Sequence, residues 1–246
     1  MNNFIIGSGW FSDTIGISEL GQISNSHQNK YGGTHSRNEK FSKYWLSSIL
    51  NQSILPKRIY ILDADSPEKI NDYVKNHTLV DISEQTQNFG HGVYCSKKNI
   101  LCGWARGFVY GAVQAYLNDC DFVYVEQDLL IFGEKFIENI FKLLEKNNKQ
   151  VCYLTGEETP QKLQQSFVVA KYSYLPKLIS GLINSSDNKI SEELKHYNLI
   201  KNDVMWCPYK GGRQRKNLNS EFFCLQHMDE NEIDYYVSNG KIKRDL

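Results

Sequence analysis

From Asn3 to about residue 154, short apolar runs rich in β-branched residues alternate with longer stretches whose apolar residues recur at helical spacing. The runs Asn3 to Trp10, Arg58 to Asp63, Thr78 to Ile82 and Asp121 to Glu126 read as strands. Between them lies a helix capped by Asn38, with Phe41, Trp45 and Ile49 on one face and an end before Pro56. A second has Leu101, Trp104, Phe108, Ala112 and Ala115 on one face, and a third, Lys135 to Glu145, turns Ile137, Ile140, Phe141 and Leu144 inward. Ser66-Pro67-Glu68 combines a hydroxyl cap, a proline for the first helical position and an acid for the first turn, so another helix is expected to start there. Strands joined through helices return to one sheet in the same direction, which predicts an α/β fold with a mixed, mostly parallel sheet flanked by helices. After Thr155 the rhythm loosens. A strand at Ser166 to Ala170, helices at Pro176 to Ile183 and from Ser191, and strands at Val204 to Pro208 and Glu221 to Gln226 are expected there. One domain spanning 1–246, with halves at about 1–155 and 156–246, accommodates these elements.

Lys plus Arg and Asp plus Glu number 28 each, so net charge offers no general attraction to nucleic acid or to an anionic membrane. Any binding of phosphate must be local. The six cysteines are widely spaced without a C-x-x-C pair, and most lie in apolar runs, which predicts buried free thiols and a reducing, cytoplasmic compartment. No run approaches the ~20 apolar residues of a membrane span. Phe4-Ile5-Ile6 is interrupted by glycine and lacks a basic flank, unlike a signal peptide.

Glu126-Gln127-Asp128 closes the apolar run Phe122-Val123-Tyr124-Val125. Open α/β sheets bind ligands beyond the carboxyl ends of their strands, and residues i and i+2 of an extended segment share a side, so two carboxylates are expected to converge on a crevice. Such a pair suits a hard divalent cation, although a solvated strand end has the same composition. The setting is distinctive: a helix carrying Ala105-Arg106, then DFVYVEQD, preceded by a first strand, a long polar loop, Trp45-Leu46-x-x-Ile49 with Gln52, and PKRIYILD. In order and pattern, roughly Phe4 to Leu144 resembles the GT-A glycosyltransferases. Two positions depart from that family: the first acid is Glu rather than Asp, and Gly107 follows Ala105-Arg106 where asparagine is usual.

The resemblance implies a metal-dependent transfer of sugar from a nucleoside diphosphate sugar to a glycan or glycolipid acceptor, in surface polysaccharide biosynthesis. The first half would bind the donor and the second the acceptor. Glu126, Asp128 and His227 would hold Mn²⁺ or Mg²⁺, with Glu126 also near the donor. Asp63 or Asp65 would meet the nucleoside, unless they are plain turn aspartates, and Asn88, His91 and Arg106 would approach the nucleotide-sugar. Arg213 and Arg215, in the basic segment Lys210 to Lys216, would clamp the diphosphate or else form a solvated turn. Glu192 and Glu193 would supply the base of an inverting reaction, or simply complement a helix dipole. His35, beside Gly32-Gly33, is a further candidate for the nucleotide. Two other functions stay open: a nucleotidyltransferase, for which Gly7-Ser8-Gly9-Trp10 lacks a basic residue, and a catalytically silent module binding a sugar or a partner.

Overall fold

Strand β1, Phe4–Trp10, carries glycine at positions 7 and 9, and a helix lies directly on its backbone there. That helix, α3 (Gly103–Leu117), turns Ala105, Gly107, Phe108, Gly111, Ala112 and Ala115 inward. A Cβ at Gly107 would stand 2.3 Å from the Gly9 Cα, and one at Gly111 would stand 2.7 Å from the Gly7 Cα. Only hydrogen fits at these contacts, so the glycine following Ala105-Arg106 is required by packing. The pairing of 107 with 9 and 111 with 7 also sets α3 antiparallel to β1. Its N-terminus thereby lies at the carboxyl edge of the sheet.

The computed structural model describes residues 3–12, 37–88, 101–156, 162–184, 192–211 and 221–242, with the backbone alone for 192 and 193. A seven-stranded sheet runs β3-β2-β1-β4-β7-β6-β8, formed by β1, β2 (Arg58–Asp63), β3 (Val80–Glu84), β4 (Asp121–Val125), β6 (Val151–Thr155), β7 (Leu163–Ala170) and β8 (Val204–Trp206). The pairs within β3-β2-β1-β4 are parallel, as is β6 with β8. β7 runs antiparallel between β4 and β6. The expected mixed, mostly parallel α/β architecture is therefore present. A separate two-stranded ribbon joins β5 (Leu129–Phe132) to β9 (Phe223–Gln226).

Helices α1 (Glu39–Leu50), α4 (Phe136–Lys146), α5 (Leu175–Ile183), α6 (Glu192–Ile200) and α7 (Glu230–Ser238) form with α3 and the single turn α2 (Asp72–Lys75). Asn38 caps α1 as expected, accepting from the Phe41 N–H at 2.8 Å, and Phe41, Trp45 and Ile49 are buried. α4 buries Ile137, Ile140, Phe141 and Leu144, the face expected of it.

The expected helix start at Ser66 is not formed. The Ser66 hydroxyl donates to Asp63 and accepts from the Ser12 N–H, so it is occupied in a turn that ties β2 to the segment after β1. The helix begins only at Asp72, capped by Asn71. The third strand also lies later than expected, ending at Glu84. Cys102, Cys120, Cys152, Cys207 and Cys224 are buried free thiols, in line with their apolar settings. Among the described residues no helix is long and apolar enough to cross a membrane.

Gly107→Ala is expected to destabilise the chain by about 2 to 3 kcal/mol, because the nearest atoms are backbone and cannot swing aside. Leu117→Ala, near the end of the same helix and 70% exposed, should change stability by less than about 0.5 kcal/mol. Urea unfolding of both variants measures the difference.

Candidate functional site

β4 stops at Val125, and the next three residues form a tight turn in which the Leu129 N–H donates to the Glu126 carbonyl at 3.0 Å. The extended geometry expected for the acidic triplet is absent, yet its two carboxylates do converge. Gln226 Nε2 donates to Glu126 Oε2 at 2.8 Å and to Asp128 Oδ1 at 3.0 Å. The Gln226 amide is itself oriented by Gln164 Nε2, which donates to Gln226 Oε1 at 2.7 Å. Gln127 turns to the other side, donating to the Phe11 carbonyl at 2.7 Å and accepting from the Phe11 N–H. The middle residue of the triplet thus ties the end of β4 to the end of β1. Trp45 of α1 holds the Glu126 carbonyl at 3.1 Å through its indole N–H.

The β5–β9 ribbon completes the arrangement. Its register sets Gln226 opposite Leu129, and the His227 N–H then donates to the Asp128 carbonyl at 3.3 Å. His227 adopts a left-handed backbone with φ 54°, unusual for a non-glycine residue. Asp128 is fully buried, and its Oδ2 faces Arg37 Nη2 at 3.0 Å, Arg37 Nε at 3.3 Å and His227 Nδ1 at 3.1 Å. Burial alone would raise the Asp128 pKa. The charges of His227 and Arg37, with hydrogen bonds from His227 and Gln226, overcome it and hold the carboxyl well below the usual carboxylate range. For Arg37, burial opposes the charge, and Asp128 followed by Glu126 more than restores it.

The remaining expected residues fall into three groups. Asp63 is buried and its Oδ1 accepts from the Ser66 N–H at 3.0 Å and hydroxyl at 2.5 Å, the arrangement of a turn aspartate; burial raises its pKa despite those bonds. Asp65 is exposed with φ 60°. Trp10, at the end of β1, pairs with Asp63, so the ends of β2, β1 and β4 share one edge. Asn88 is half-buried beyond β3, and Arg106, half-buried on the first turns of α3, donates to the Leu101 carbonyl at 2.9 Å. Glu192 and Glu193 open α6, while His35, His91, Arg213 and Arg215 lie outside the described residues.

Arg37, Gln226 and Gln164 carry no role in the sequence-based expectation. Arg37 was visible as the cation ending the polar loop, immediately before the Asn38 cap. Gln226 is visible as the polar end of an apolar run, but its partner strand β5 is not among the expected strands. Leu129-Leu130-Ile131-Phe132 directly follows the triplet, and a short apolar run bounded by Gly133 is the signal that marks it.

A divalent cation does not fit this donor set as it stands. Both Asp128 oxygens face N–H groups, and one amide nitrogen already bridges the two acids. Among the described residues no group of three or more His, Cys, Asp or Glu side chains is arranged to hold a metal ion.

Along α6 from its opening glutamates, His196 is fully buried against Trp104, Phe108 and Tyr153, with Nδ1 at 2.7 Å from the Tyr153 hydroxyl. Burial, aided by the Lys195 charge, lowers its pKa from 6.5 to about 3. The neutral ring therefore anchors α6 to α3 and β6.

No family model and no curated protein matches this sequence. Solved structures do. A UDP-glucose pyrophosphorylase from Acinetobacter baumanii aligns over 98% of this chain and 96% of its own length, with a TM-score of 0.50 and 8% identity. Residues 1–349 of TarS from S. aureus align over 92% of this chain and 60% of that one, at a TM-score of 0.50 and 10% identity. The chain has a GT-A-like fold. A weaker likeness, with a TM-score of 0.48 and 9% identity, reaches the mannosyltransferase from Pyrobaculum calidifontis in complex with GDP-Man and Mn²⁺, covering 96% of this chain and 60% of that one. Within the GT-A-like frame, the buried carboxylate network stands at the carboxyl edge of the central strands.

A histidine whose folded pKa is depressed contributes stability above its unfolded pKa and loses it as pH falls towards the folded value. His196 should therefore make the chain less stable with acid from pH 6.5 towards about 3, at up to ~1.4 kcal/mol per pH unit. Asp128, also depressed, adds its loss only below the ordinary carboxylate range. His196→Gln should flatten the profile between pH ~6.5 and ~5 while keeping the steeper loss at lower pH. Urea midpoints across pH test this, and an unchanged slope in the variant would assign the loss to another group.

Proposed function

We propose that this chain transfers a sugar from a nucleoside diphosphate sugar to a hydroxyl of a glycan or glycolipid acceptor, in surface polysaccharide assembly. The observation that carries the reading is the converging pair Glu126 and Asp128, held by Gln226, Arg37 and His227 at the carboxyl edge of a GT-A-like sheet. Ligands of open α/β sheets bind at that edge.

In the proposed reaction the acceptor oxygen forms a bond to the anomeric carbon, and the bond from that carbon to the diphosphate oxygen breaks. The electron pair leaves with the nucleoside diphosphate, and the hydroxyl proton passes to a carboxylate base. Glu192 and Glu193, opening α6, are the proposed base, acting with inversion. Asp65 is the proposed contact to the nucleoside, in preference to Asp63, whose carboxylate is engaged by Ser66. Asn88, His91 and Arg106 are proposed to approach the donor, and Arg213 and Arg215 to meet its diphosphate. The five buried free thiols suit a reducing, cytoplasmic setting. The Mn²⁺ or Mg²⁺ of the family pattern takes no part in this reading, because the donor set does not fit it.

One observation favours a second reading, a nucleotidyltransferase: the likeness to the UDP-glucose pyrophosphorylase spans nearly the whole of both chains. The absence of a basic residue in Gly7-Ser8-Gly9-Trp10 weighs against it.

Incubation with a panel of nucleoside diphosphate sugars and oligosaccharide acceptors separates these. Release of nucleoside diphosphate is expected, lost in the Glu192→Gln/Glu193→Gln double variant. Pyrophosphate release from nucleoside triphosphate plus sugar 1-phosphate would instead establish the second reading, and binding of donors without turnover would mark a silent module. Asp128→Asn should lower stability by about 3 kcal/mol, the low end for a broken buried pair because Arg37 is partly solvated.

A further inference from the structure

We propose that the Arg37 guanidinium fills the cation position of the Glu126–Asp128 pair, so that the chain holds no divalent metal there and meets the anionic part of its ligand with Arg37. The claim about the cation position rests on the geometry alone. That the anion is a diphosphate rests on the transferase reading above.

Three features lead to this assignment. First, both oxygens of Asp128 are in use. Mg²⁺ asks for oxygens at ~2.0 to 2.1 Å in a nearly octahedral shell. Asp128 instead directs Oδ2 at Arg37 and His227, and Oδ1 at Gln226, all at hydrogen-bonding distance. Second, the bridging task of a cation is performed by an amide. The Gln226 NH₂ group sends N–H bonds to both carboxylates, and Gln164 fixes which end of the amide faces them. A nitrogen that donates to both acids stands where their shared ligand would otherwise be.

Third, Asp128 is closed to solvent while Arg37 is not. The Arg37 side chain is 39% exposed and the Asp128 side chain 0%. An incoming ligand therefore reaches Arg37 before the Asp128 carboxylate. Nε and Nη2 are engaged by Asp128, leaving the Nη1 end of the planar fork for an anion, a geometry that suits phosphate oxygens. The backbone at Arg37 is fixed as well. Its carbonyl accepts from the Ser12 hydroxyl, and the next residue, Asn38, caps α1. Arg37 is thus held in place by neighbours that do not depend on a ligand.

Mn²⁺ titration followed by electron paramagnetic resonance tests the cation position directly. The wild-type chain is expected to leave the free Mn²⁺ signal undiminished, and MnCl₂ should not raise its unfolding temperature. Arg37→Gln, which leaves the acids and His227 without the guanidinium, is expected to bind Mn²⁺ and to be stabilised by it. Arg37→Lys keeps a charge and should bind none. One Mn²⁺ bound per wild-type chain and lost in Asp128→Asn would overturn the proposal, as would an Arg37→Gln variant that folds but gains no Mn²⁺. Should Arg37→Gln not fold in buffer alone, refolding it with and without MnCl₂ gives the same readout, with rescue by Mn²⁺ expected.

Calorimetry with UDP and GDP tests the anion contact. Binding to the wild type is expected to be equal in EDTA and in MnCl₂, and weakened by about tenfold or more in Arg37→Gln, the scale of a lost charge-assisted hydrogen bond. Nucleotide binding that requires Mn²⁺ would overturn the proposal and leave the transferase reading intact. If neither nucleotide binds under any condition, the transferase reading fails, while the Mn²⁺ titration still decides the cation position.

Discussion

A fully buried carboxylate must be compensated on every side, and Asp128 organises the chain around that need. Its partners, with the residue that orients one of them, come from three distant stretches of sequence. Arg37 precedes α1, His227 and Gln226 close β9, and Gln164 opens β7 behind Gln226. Each is positioned by an element with a structural purpose of its own. α1 also pins the turn through Trp45, and Gln52, just beyond its end, donates to the Gly133 carbonyl and accepts from the Ile137 N–H, fixing the far end of β5. The charged centre and the hydrophobic core are therefore coupled, since the same ribbon that supplies His227 buries Leu129, Leu130, Phe223 and Leu225.

The glycine seam between β1 and α3 acts at a different level. It sets how closely helix and sheet approach, and so where the α3 N-terminus and the half-buried Arg106 stand relative to the strand ends. Any side chain at position 107 would require the helix to stand further off, because its Cβ would lie 2.3 Å from the Gly9 Cα.

Much of this was legible in the sequence, because alternation and helical spacing report directly on which faces are buried. β1, β2, β4 and α4 lie within a residue or two of their expected bounds, and α1 starts where expected but ends at Leu50, well short of Pro56. The acidic turn stood out for the same reason, as charge at the end of an apolar run. Long-range hydrogen bonding was not legible. Ser66 carries a strong helix-start pattern, but Asp63 and Ser12 compete for its hydroxyl, and that competition exists only once the chain is folded. Gln226 and Arg37 are ordinary polar residues until the β5–β9 register and the α1 cap bring them to Asp128. β5 is marked only by a short apolar run ending at glycine, because four residues have no periodicity to display.

The antiparallel insertion of β7 between β4 and β6 has a consequence for how the chain is made. β4 pairs with β1 on one edge, but its other edge stays open until residue 170 has been synthesised. At ~5 to 20 residues per second, the interval between Val125 and Ala170 lasts seconds. Throughout it, the nascent chain presents an apolar strand, Phe122 to Val125, with unsatisfied backbone groups, a template for aggregation with neighbouring chains.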